Sequence, residues 1–262
     1  MKRVIVWLLV VGYGVFSWQL YGAAQAAGEQ IIKNAEVISR PSPMPADIIS
    51  IPGANKNLVV MSWNWLNLDG QWAYASPKAE PINESFEPRL EQLTVEVGEW
   101  VPDHRADYRT IEPLSKMFRA ARADGVELMV TSSYRSHQDQ VDLTEELTIA
   151  NGPEWAALYT EGPGGSEHRL GLAIDMTTFS PSCQASFSSC SISPAVVSWL
   201  AQNAPDYGFI LRYPPGKQHI TGLAYESWHY RYVGERAAKI ITEAGITFDE
   251  FVDILSAKRV EA

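Results

Sequence analysis

The sequence predicts an α+β fold, a small antiparallel sheet flanked by helices. Three observations carry this. Segments with helical and strand periodicity follow one another irregularly rather than in strict alternation. Hairpin-length gaps separate some of them. And 46% of the 262 residues are hydrophobic, enough for one sizeable core.

The elements follow in chain order. Ile111, Leu114, Met117, Phe118 and Ala121 recur with a helical period, which predicts a helix over 111–123 ending near Gly125. Val126 to Thr131 reads as a strand. His137 to Ala150 reads as a second helix, stopped by Asn151-Gly152-Pro153. Gly162-Pro163-Gly164-Gly165 is a loop, and Leu170 to Met176 reads as a strand. Ser193 as cap and Pro194 at the first helical position open a helix that runs to about Asn203, with a turn at Gly208. Phe209 to Tyr213 and Ser227 to Val233 read as strands. Two helices follow, from about Glu235 and from about Thr247, where Thr247 and Glu250 have capping-box spacing.

The chain divides into three parts. Residues 1–27 hold Lys2 and Arg3, an uncharged run from Val4 to Tyr21, and small residues from Ala23 to Ala27. This is the pattern of an export signal, either cleaved or kept as a single membrane anchor. Residues 28–56 contain Pro41, Pro43, Pro45 and Pro52 and read as a spacer. Trp63, Trp65, Trp72 and Trp100 then mark the folded domain, 57–262. The formal net charge is -10 and no run of Lys and Arg forms a nucleic-acid footprint, which sets that class aside. Nothing in the sequence bears on oligomeric state. The two cysteines, Cys183 and Cys190, read in an exported chain as a disulfide closing a small loop; two free thiols are the alternative.

Chemistry concentrates in three segments. In the first, Ser166 to Asp175, large apolar and small residues alternate. On a strand, Leu170, Leu172 and Ile174 share one face and Gly171, Ala173 and Asp175 the other. That leaves a carboxylate on a face with little bulk beside it, and His168 precedes it. In the second, Glu226-Ser227-Trp228-His229, strict alternation would send Glu226 and His229 to opposite faces, so a turn or bulge near Ser227 is needed to aim both at one site. His168, Asp175 and His229 together make an N,N,O donor set, which suits Zn²⁺ with a fourth position open. Glu226 fits the role of a nearby carboxylate that is not a ligand and moves a proton. The third segment is Ser133-Tyr134-Arg135-Ser136. His104, His137 and His219 lie in charged, helix-start and loop contexts and are read as ordinary surface residues.

The motif Ser-x-His-x-x-Gly-x-Ala-x-Asp followed by Glu-x-Trp-His resembles the zinc D,D- and L,D-carboxypeptidases of bacterial cell walls, the VanY-type group, whose fold is shared with D-Ala-D-Ala dipeptidases and the hedgehog domain. Tyr207-Gly208-Phe209-Ile210-Leu211-Arg212-Tyr213-Pro214 and the run from Glu226 to Gly234 are similar to the same family, over roughly 57–245 in all. The resemblance implies one zinc ion held by His168, Asp175 and His229, Glu226 as catalytic base, and Arg135 facing the substrate, on either its terminal carboxylate or an oxyanion. It implies that Ser166 and Gln140 line the substrate pocket. The implied activity is removal of a terminal D-amino acid from peptidoglycan stem peptides; with the export signal, the expected place is the periplasm, the cell wall or the outer face of the cytoplasmic membrane of a bacterium. An endopeptidase and a non-catalytic zinc-containing wall-binding module are the alternatives; a carboxylate at Glu226 argues for catalysis.

Overall fold

A computed structural model of the chain describes residues 86–260, Ile82, and the backbone of two short strands, Asp47–Ser50 and Asn57–Val60. The expected export segment and Trp63, Trp65 and Trp72 lie outside the described residues, as does most of the expected spacer. β1 (Asp47–Ser50), inside the expected spacer, pairs antiparallel with β2 (Asn57–Val60), at the start of the expected domain.

The main body is α+β. A two-stranded ribbon, β3 (Leu90–Gln92) with β4 (Arg105–Asp107), leads into α1 (Tyr108–Ala123). This helix starts three residues before the apolar period does, because Asp107 caps it by accepting from the Arg109 N–H at 3.0 Å. Then come β5 (Leu128–Ser132), α2 (His137–Asn151) and α3 (Pro153–Tyr159). The second of these helices was not expected. Gly152, at φ 89°, ends α2, and Pro153 starts a new helix at once, a position where its missing N–H costs nothing. After β6 (Ala173–Thr178) come α4 (Pro181–Ala185), α5 (Pro194–Asn203), β7 (Phe209–Leu211), α6 (Gln218–Thr221), β8 (His229–Tyr232), α7 (Glu235–Ala244) and α8 (Phe248–Val260). The expected capping box at the start of α8 is formed: Thr247 N–H donates to Glu250 Oε2 at 2.8 Å, and Glu250 N–H to Thr247 Oγ1 at 3.1 Å.

Four strands form the central antiparallel sheet in the order β5-β6-β8-β7. Its two faces divide the work. Leu128, Val130, Ile174, Met176, Phe209 and Tyr230 point to the main core, where Leu114, Met117 and Phe118 of α1 and Val196, Trp199 and Leu200 of α5 cover them. The alternate residues, Asp175, His229 and Arg231 among them, face the other way. On that side Ile210 packs with Ala237, Ile241, Phe248 and Phe251 of α7 and α8.

The strand expected from Leu170 to Met176 begins only at Ala173. Glu167–Leu170 is a 3₁₀ turn that ends on Gly171 in the left-handed region, φ 69°. Leu170 and Leu172 fill a small separate cluster with Ile82 and Phe86 instead of the main core. The cause is a close approach. Asp107 N–H donates to Gly171 O at 2.9 Å, and a Cβ on Gly171 would lie 2.7 Å from the Asp107 nitrogen. Replacing Gly171 by Ala adds left-handed strain to this clash. The substitution is expected to cost about 2–4 kcal/mol, lowering the melting temperature by about 5–10 °C in a thermal scan.

Cys183 and Cys190 form the expected disulfide. Its loop packs on Met129, Trp100 and Phe179, with the Trp100 ring against Phe187.

Candidate metal and catalytic site

The antiparallel register of β6 and β8 sets Asp175 directly opposite His229. Both therefore project from the polar face of the sheet at neighbouring positions. The third donor comes from the 3₁₀ turn before β6. His168 Nε2 lies 3.4 Å from Asp175 Oδ1, and His229 Nδ1 lies 3.2 Å from the same oxygen. The two imidazole rings stand edge to face, with centroids 5.0 Å apart. One ligand atom from each of the three residues falls within a sphere where all lie within 4.8 Å of one another.

The tautomer of His168 is set from behind. Its Nδ1 lies 2.6 Å from the Ser133 carbonyl oxygen. A carbonyl only accepts, so Nδ1 carries the proton and Nε2 keeps its lone pair available to a metal ion on the side where Asp175 lies. A register shift between Val130 and Ser132 of β5 lets the chain turn there, and Ser133 Oγ is tied to the Asp103 carbonyl at 2.8 Å.

Glu226 is brought to the same place by a turn at Ser227-Trp228, where His229 N–H donates to the Glu226 carbonyl at 3.3 Å. This is the turn that strand parity requires. Glu226 Oε2 then lies 3.6 Å from His229 Nδ1. His168, His229 and Glu226 are 2%, 3% and 4% exposed, so the charges meet out of bulk water.

Burial pushes the Glu226 carboxyl well above the usual carboxylate range. His229 and Arg135 pull it back, while Asp175 and Glu161 push it further up. Burial acts the same way on Asp175, but the two histidines outweigh it and hold that carboxyl well below its usual range. Burial opposes a charge on His229 too, yet the carboxylates of Asp175, Glu167 and Glu226 around it raise it to about 10. Two carboxyl groups in one pocket are thus driven apart, one held ionised and the other made basic.

Arg135 is half-buried and fixed at its end. Its Nη1 donates to Gln140 Oε1 at 2.7 Å and its Nη2 to Ser132 Oγ at 2.9 Å. Gln140 is fully buried, and its amide nitrogen donates to Thr160 Oγ1 at 2.9 Å and to the Glu161 carbonyl at 2.7 Å. Both amide hydrogens are therefore spent on protein acceptors. Gln140 stands behind Arg135 and holds it. Ser166 Oγ is buried and has no hydrogen-bond partner among the described residues.

Three further groups border the site. The Tyr213 ring lies 4.9 Å from the His229 ring, and its hydroxyl donates to buried Glu161. Glu167, inside the His168 motif, faces the far side of His229. Nothing local in the sequence pairs Tyr213 with Glu161.

The donor set fits zinc. It offers two imidazoles and one carboxylate, and Asp175 Oδ1 is a buried oxygen without a hydrogen-bond donor of its own. The family model described as "VanY: D-alanyl-D-alanine carboxypeptidase" matches residues 103–235, which contain every residue named above as ligand, base or arginine. The chain belongs to the VanY family. An Enterococcus faecalis D-alanyl-D-alanine carboxypeptidase is 37% identical over 185 residues, 67% of this chain and 63% of its own length. The chain thus spans somewhat less than two thirds of that relative. Among solved structures, a vancomycin-resistance D,D-pentapeptidase VanY variant in complex with Zn(II) superimposes with a TM-score of 0.58. It is 34% identical, and the match covers 68% of this chain and 97% of that one. The L,D-carboxypeptidase LdcB gives a TM-score of 0.60 at 30% identity, over 79% and 94%. These likenesses agree with the VanY-type, hedgehog-like α+β fold expected from the motifs.

Proposed function

We propose that this VanY-family protein is a zinc-dependent carboxypeptidase that removes the terminal D-alanine from peptidoglycan stem peptides. The observation that carries this is the convergence of His168, Asp175 and His229 with a buried Glu226 at their edge. His168 through Nε2, His229 through Nδ1 and Asp175 through its carboxylate would hold the ion. Zinc, when bound, supplies Lewis acidity and brings the pKa of a coordinated water to about 7.

The chain's own residues supply the rest. Glu226 takes a proton at its carboxylate as the peptide carbonyl is attacked, then hands it to the departing amine. A carboxylate beside the ligand set but not part of it is placed for both transfers. Arg135, held by Gln140 and Ser132, presents its remaining N–H groups to the anionic end of the substrate. Ser166 Oγ, buried and unpartnered, offers a hydrogen bond to the same terminal residue. Burial of the site keeps competing water away from these contacts. The names of the similar proteins, one a D-alanyl-D-alanine carboxypeptidase and one a VanY with Zn(II), support the reading. Its place of action is outside the cytoplasm, as the 1–27 segment suggests.

The test is a panel of stem peptides: pentapeptide, tetrapeptide and cross-linked dimer, each with and without chelator, read by mass spectrometry. Loss of one D-alanine from the pentapeptide, abolished by chelator, is expected. Loss from the tetrapeptide alone moves the protein to the L,D class, to which LdcB belongs. Internal cleavage, or none with zinc bound, overturns the proposal.

A further inference from the structure

Behind the metal site lies a buried group of four charges. Glu167 Oε1 accepts from Arg212 Nε at 2.7 Å and lies 2.9 Å from Arg231 Nη1. Arg212 continues to Asp249 on α8, with Nη1 2.5 Å from Oδ2. All four residues are buried, and Glu167 and Arg212 are inaccessible. Two carboxylates and two guanidiniums balance, so the group brings no net charge to the zinc site. Burying it is costly and better packing alone does not require it.

One oxygen of this group is left over. Glu167 Oε2 and His229 Nε2 are both buried without a hydrogen-bond partner among the described residues, and they face each other at 3.7 Å. His229 Nδ1 is the nitrogen turned toward Asp175. A histidine that ligates through one nitrogen carries its proton on the other, and a carboxylate there fixes both tautomer and ring orientation.

We propose that Glu167 is a positioning residue for the metal. It receives the Nε2 proton of His229 as a hydrogen bond and so aims Nδ1 at the ion, while Arg212 and Arg231 hold its carboxylate still. His168 gets the same service from the Ser133 carbonyl. The two imidazoles are thus held by different means, one by a neutral backbone group and one by an ionised side chain anchored to α8. Asp249 lies beyond residues 103–235, so the anchor comes from outside the segment that matches the family model.

The inference rests on the zinc reading and not on the substrate. Failure to cleave any stem peptide would sink the proposed function and leave the measurements below intact. Zinc affinity is measured on the full chain by competition with a chromophoric chelator at one pH. Glu167→Gln is expected to weaken zinc binding about 10–100-fold. Asp249→Asn removes one charge from the same buried group without touching His229. It is expected to lower the melting temperature while zinc affinity stays within about threefold of wild type. Zinc affinity of Glu167→Gln within threefold of wild type overturns the proposal. So does an equal loss in both variants, which would mean that general loosening and not aim is at work. If Glu167→Gln does not fold, the wild type decides. In the zinc-loaded protein with ¹⁵N-labelled histidine, the His229 ring proton is expected on Nε2 and protected from exchange; a proton on Nδ1 overturns the proposal.

Discussion

Glu226→Gln is expected to keep its zinc and lose turnover by about 10²–10⁴-fold, the range that positioned proton transfer contributes. The reasoning is geometric. Glu226 Oε2 lies 3.6 Å from His229 Nδ1, beside the ligand set but not part of it, since the donor cluster closes with His168, Asp175 and His229. Glutamine fills the same volume and can still hydrogen-bond, so folding and metal binding are undisturbed. It cannot accept and return a proton. Zinc content by atomic emission and kcat on a D-alanine-terminated pentapeptide give the two readouts together. A variant that turns over at the wild-type rate removes Glu226 from the mechanism. Loss of zinc along with activity reassigns it as a ligand.

Asp175→Ala carries the other large effect, and it falls on the metal. Asp175 Oδ1 is the common neighbour of both imidazoles, at 3.4 Å from one and 3.2 Å from the other. It is also the only carboxylate in the three-residue donor set found among the described residues. Without it, a divalent ion faces two neutral nitrogens and the site loses its counter-charge. Zinc content is expected to fall to a small fraction of one ion per chain, and cleavage to background. A zinc-replete and active Asp175→Ala protein would show that the ligand set is drawn wrongly. Asp175→Asn is the milder comparison: it keeps an oxygen donor and the strand pairing with His229, and is expected to bind zinc weakly rather than not at all.

Much of the site is readable because its residues obey local rules. The parity argument at Glu226 and His229 demands a turn near Ser227, and the turn is there, at Ser227-Trp228. Ile174 goes to the core and Asp175 to the opposite face as alternation requires. What escapes the sequence depends on distant partners. The run from Leu170 alternates well enough to pass for strand, but Asp107 closes on Gly171 from the end of β4 and forces a left-handed residue there. Gln140 sits on a helix with weak apolar patterning, so nothing local shows that Thr160 and Glu161 bury it. Pro153 reads as a stop, and is one, but it is equally a start. Glu167 is visible inside the motif, whereas Arg212, Arg231 and Asp249, which give it a role, are assembled only by the sheet and α8.

The pairing of Asp175 with His229 across β6 and β8 also makes the metal an inspector of the fold. A slip of one residue between antiparallel strands turns every side chain to the opposite face. Such a chain would present Tyr230 where His229 belongs, and no donor cluster could form. Since a ligand stabilises only the conformation that binds it, zinc withholds its binding energy from the misregistered sheet and grants it to the correct one. The ion that equips the site for chemistry thereby adds to the register preference that the buried face of the sheet already sets.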